Sequence, residues 1–113
     1  MTRVSIFLLL LAVTLPAAAR ERTYALGLEL WVRPREGAEL VRFPELAGAV
    51  RDWAGHPGAR IQIRFPGGEE GDLWASELCD WLVALGVPSS ALETQAGSSQ
   101  GDRIELIVVS QEE

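Results

Sequence analysis

The run DLWASELCDWLVALGVP, Asp72 to Pro88, decides how this chain folds. Trp74, Leu78, Trp81, Leu82 and Leu85 recur at i, i+4, i+7, i+8 and i+11, the spacing that lines apolar side chains along one face of a helix. Asp72 is placed to cap the start of that helix. Gly86 suits the left-handed position just past its end, and Pro88 prevents continuation. Upstream, Ile61, Ile63 and Phe65 alternate with Arg60, Gln62 and Arg64, a strand joined to the helix by the acidic loop Pro66 to Gly71. Further back, Pro44 opens a helix carrying Leu46, Ala47, Val50, Trp53 and Ala54, and Gly55-His56-Pro57-Gly58 stops it. Tyr24, Leu26, Leu28, Leu30 and Val32 alternate with Ala25, Gly27, Glu29, Trp31 and Arg33, which predicts a first strand ended by Pro34.

Downstream, Leu92 to Gln95 reads as a short strand and Ala96 to Asp102 as a polar loop. Arg103 to Ser110 closes the chain as a strand. Ile104, Leu106, Ile107, Val108 and Val109 make it apolar on both faces, which predicts a central rather than an edge position. The order β-α-β-α-(β)-β is that of an α+β two-layer sandwich, with two helices on one face of a small mixed sheet.

The 113 residues suffice for one domain. Ten basic residues, all arginine, stand against sixteen acids, and a net charge of −6 speaks against a nucleic-acid footprint. One Cys and one His exclude a disulfide framework and a Cys/His zinc site, and no cofactor or metal is implied. Met1-Thr2-Arg3, the apolar run from Val4 and the triplet Ala17-Ala18-Ala19 have the layout of an export signal cleaved after Ala19. The apolar run is shorter than the ~20 residues of a spanning helix. The expected mature domain is Arg20 to Glu113, periplasmic, touching the membrane only if the signal stays uncleaved.

Trp74-Ala75, Leu78, Leu82, Gly86-Val87-Pro88 and Leu92, followed by Asp102-Arg103-Ile104-Glu105-Leu106, resemble the second helix and closing strand of OmpA-like C-terminal domains. The resemblance covers roughly Gly37 to Val109. It implies a bacterial envelope module that binds peptidoglycan. That family holds diaminopimelate with an aspartate after the second strand and an arginine on the second helix, charges that complement the ligand's ammonium and carboxylate. Here the aspartate's place falls at about Gly68 and the arginine's at Trp74, and only Arg103 has a counterpart. The resemblance therefore implies a reduced member. Its expected role is a non-catalytic protein-interaction module, with Trp31 and Trp74 as partner contacts. The alternative is a cell-wall peptide site rebuilt on Glu70, Asp72 or Arg103.

Other chemistry is thin. Cys79 and His56 are the one thiol–base pair, but Cys79 falls in mid-helix and His56 in a turn, so a structural thiol is the better account. Glu69, Glu70 and Asp72 form the densest carboxylate cluster and could meet a hard cation, but three acids beside three glycines fit solvated charge at a helix start better. Pro66-Gly67-Gly68 lacks the following Lys-Ser/Thr of a phosphate cradle. A small hydrolase built on Asp, His and Ser has no positive support. Of the four tryptophans, Trp53, Trp74 and Trp81 sit at core-compatible helical positions. Trp31 lies opposite the leucine face of the first strand, covered by the helices or exposed as a contact patch. Arg60 and Arg64 share a face of the second strand, with Glu105 as an expected cross-strand partner.

Overall fold

A computed structural model describes residues 19–27, 29, 43–97 and 100–111. Along the chain these form β1 (Ala19–Gly27), α1 (Pro44–Ala54), β2 (Arg60–Phe65), α2 (Glu69–Ala84), a single 3-10 turn (Ser89–Ala91), β3 (Leu92–Ala96) and β4 (Arg103–Gln111). The sheet order is β1-β4-β2-β3. β4 runs antiparallel to both neighbours, and β2 and β3 are parallel. The mixed sheet and two helices make the expected α+β sandwich, and β4 is internal, as its two-sided apolarity requires.

Alternation sets the faces. Leu26 lies opposite Ile104 in the β1–β4 ladder, while Ile61 and Ile63 of β2 lie opposite Val108 and Leu106. All of these side chains are buried in one cluster with Leu46 and Ala49 of α1 and Ala75, Leu78 and Leu82 of α2. Both helices therefore cover the same face of the sheet. At Gly48 the helix backbone comes close to the Tyr24 ring: an added Cβ would lie 3.0 Å from Cε1. The far face carries Thr23, Ala25, Arg60, Gln62, Arg64, Arg103 and Glu105, together with Ile107, which is 1% exposed.

Several expectations need correction. The first strand does not begin at Tyr24: β1 starts at Ala19, because nine residues of β4 find nine partners there. Leu28, Leu30, Trp31 and Val32 lie outside the described residues. Asp72 is not the cap of α2. The helix begins at Glu69, Gly68 precedes it at φ 110°, and the Asp72 N–H donates to the Gly68 carbonyl. The acidic loop thus shrinks to Pro66–Gly68, because Gly71 is buried beneath the Pro66 carbonyl where only a hydrogen fits. Leu85 leaves the buried stripe and is 38% exposed at the helix end, and Ala54 is likewise exposed. The end of α2 follows the expected form. Gly86 donates to Val83 O, Val87 donates to Leu82 O, and the buried Leu82 and Val87 bracket the motif.

Candidate functional site

β4 begins beside the end of β2, since Arg64 is opposite Glu105, and β1 ends opposite Arg103. Glu29, Gly27, Ala25, Asp102 and Arg103 line an open depression of about 360 Å³ at this end of the sheet. Ala25, Gly27 and Arg103 share the parity of the face turned away from the helices. Arg103 is held locally, donating from Nη2 to Gln100 Oε1 at 2.8 Å and from Nε to Asp102 Oδ1 at 3.2 Å. Glu70 and Asp72 lie at the same end but in the first turn of α2, exposed on the helical side. Their negative charge there suits the positive end of the helix dipole. The fold therefore brings the three acid and guanidinium candidates to one end of the sheet, and puts Arg103 on the other side of it from Glu70 and Asp72.

Arg64 and Glu105 face each other in register without bonding. Arg60 instead reaches diagonally to Glu93 of β3. Arg64 Nε is buried with no hydrogen-bond partner among the described residues. Trp74 and Trp81 are half-buried against the core, and Trp53 donates Nε1–H to Ala59 O at 2.9 Å, pinning the α1–β2 turn. Cys79 is half-buried in mid-α2, and burial pushes its thiol pKa up, with Asp80 adding to the effect. It remains a protonated thiol away from the α1–β2 turn that holds His56, so the pair needed for a thiolate nucleophile is not assembled.

Sequence reasoning missed a polar network at the opposite end of the sheet. Asp52, in the last turn of α1, is 8% exposed at its side chain. Arg22 Nε donates to its Oδ2 at 2.5 Å, and Tyr24 Oη donates to the same oxygen at 2.8 Å. A carboxylate near a helix C-terminus opposes the dipole, and these donors offset that cost. The Arg22 bond holds the Asp52 pKa below its ordinary value against desolvation. Burial, then the bond to Asp52, raises that of Tyr24. His56 Nδ1 lies 3.0 Å from Asp52 Oδ1 and 2.8 Å from its main-chain oxygen. Both are acceptors, while Arg22 Nη2, a donor, lies 3.4 Å from the same nitrogen; a proton on Nδ1 serves the two shorter contacts.

Ser110, 4% exposed on β4, accepts at 3.2 Å from both terminal nitrogens of Arg22. Among the described residues Ser110 Oγ takes its bonds from Arg22, and no hydroxyl or thiol bonds His56. The network therefore ties β1 and β4 to α1. The readable signal for it was parity: Arg22 and Tyr24 alternate in phase with the buried Leu26.

No protein-family model matches this sequence, and none of the curated proteins matches it.

Proposed function

We propose that this chain is an exported, non-catalytic binding module of the bacterial cell envelope, a reduced relative of OmpA-like domains, and that α2 is its partner-contacting element. One observation carries the reading. The three large apolar side chains that stand exposed among the described residues, Leu73 at 70%, Val83 at 47% and Leu85 at 38%, all belong to α2 or its final turn. Leu85 continues, four and eleven residues on, the side of the half-buried Trp81 and Trp74. Aromatic anchors beside exposed aliphatic groups are what protein contacts use. Trp31, the other expected contact, lies outside the described residues. The test is a photocrosslinking residue placed at position 73 or 85 in exporting cells, with position 57 as control. Discrete adducts from 73 and 85, with those from 85 weakened by Leu73→Glu at unchanged stability, support the reading. Yields no higher than from position 57 overturn it.

A second reading, retention of cell-wall peptide, draws on Arg103, Asp102 and Glu29 around one open depression. A guanidinium beside carboxylates complements a zwitterionic peptide. Co-sedimentation of Arg20 to Glu113 with murein sacculi tests it. Retention displaced by diaminopimelate-containing peptide and lost in Arg103→Ala supports this site. No retention at low salt removes it.

A further inference from the structure

The cleavage site expected from the export signal lies inside the folded sheet. Ala19 is paired with Gln111 and Arg20 with Ser110, so the Ala19–Arg20 peptide bond belongs to the β1–β4 ladder. Two residues on, Arg22 is bonded to Asp52 and Ser110, and Tyr24 follows with its own bond to Asp52. This end of β1 is therefore clamped to α1 and β4. We infer that processing and folding compete for this bond: a membrane-bound signal peptidase cleaves it before β1 pairs with β4, and folding of the precursor protects it. The inference rests on the export reading of the proposed function.

A peptidase takes its substrate as an extended segment and uses the substrate's main-chain hydrogen-bonding groups, as in other strand-addition complexes. In the native ladder those groups on one side of β1 are committed to β4, so a cleft that takes both sides of the segment cannot close around the bond, although β1 is the outer strand of the sheet. Cleavage of the folded chain then needs local opening of Ala19, Arg20 and Glu21 from β4, and its rate follows the population of the opened state. The reaction itself is hydrolysis: water adds across the Ala19–Arg20 bond, Ala19 leaves with a carboxylate and Arg20 keeps a new α-amino group. Eight of the nine ladder pairs, Arg20↔Ser110 to Gly27↔Arg103, survive it. Precursor and product therefore share one sheet, and a chain that folds first is trapped with its apolar segment still attached.

The test compares three substrates of a purified signal peptidase in detergent micelles. These are a peptide spanning Met1 to Tyr24, the full-length precursor folded beforehand, and the full-length Leu106→Asp precursor, whose core cannot form. The expected result is cleavage after Ala19 in the peptide and in Leu106→Asp, with the folded precursor slower by fivefold or more. Asp52→Ala, which removes the acceptor shared by Arg22 and Tyr24, falls between. If the peptide is cut after Ala19 and the folded precursor is slowed less than fivefold, protection by folding is wrong while the export reading stands. If the peptide itself is not cut after Ala19, the export reading fails and this inference fails with it.

Discussion

Arg22 and Asp52 are thirty residues apart in sequence, and the guanidinium Nε of one donates to the carboxylate of the other at 2.5 Å. That contact fastens β1 to the last turn of α1. Asp52→Ala leaves a guanidinium and a phenol without their shared acceptor, in a setting where Asp52 is nearly buried. The expected loss is about 2–3 kcal/mol, within the range for a broken, partly buried charged pair. Urea unfolding of the two proteins measures it. An equal loss in Arg22→Ala, with little added in the double variant, identifies the pair as the unit responsible.

The same network gives stability a two-sided pH dependence. Asp52 has a lowered pKa in the fold, so the unfolded chain binds more protons as acidity rises. Its contribution is complete above the ordinary carboxylate value and is lost as pH falls toward and through the folded one. Tyr24 has a raised pKa, so its contribution is complete below about 10 and is lost as pH climbs through its folded value. Thermal unfolding from pH 2 to 11 should show both limbs. Asp52→Asn should flatten the acid limb and Tyr24→Phe the alkaline one; unchanged limbs would remove the network from the account.

How much of this was readable depended on whether the decisive contact was local. The bounds of α1 come from Pro44 and from Gly55 to Gly58, and the end of α2 from Gly86, because each acts through its own backbone. The central place of β4 follows from apolar residues at consecutive positions. β1 was misplaced because Arg22 breaks the apolar alternation, and what makes an inward arginine tolerable is Asp52, far along the chain. The start of α2 was misplaced because the three glycines and two acids from Gly67 to Gly71 read as a loop. For the candidate site residues the sequence did not give the sides: Arg103 faces away from the helices, and Glu70 and Asp72 do not.

Gly71 and Gly86 separate two reasons for glycine. A Cβ on Gly71 would sit 1.8 Å from the Pro66 carbonyl oxygen, which is backbone and cannot step aside. Gly71→Ala should cost about 3 kcal/mol or more, at or above the upper end for overpacking. Gly86 has φ 105° and open space around it. Gly86→Ala should cost only about 1 kcal/mol of backbone strain, with Gly86→Asn milder still. Denaturant midpoints of the three variants check the ranking, and a Gly71→Ala protein as stable as the parent would mean α2 starts later than Glu69.

The apolar side chains of α2 divide between packing and contact, and a paired measurement separates the two. Leu73 is 70% exposed, so Leu73→Glu should change unfolding free energy by no more than about 0.5 kcal/mol. Leu78 is fully buried against the sheet, and Leu78→Ala should cost about 2–5 kcal/mol. Trp74 lies between them, half in the core, so Trp74→Ala should lower both stability and crosslinking from position 85. If α2 is the contact element, Leu73→Glu lowers crosslinking from position 85 while leaving the unfolding curve in place. If crosslinking persists in Leu73→Glu and falls only in variants that also lose stability, α2 serves the core and the partner surface lies elsewhere.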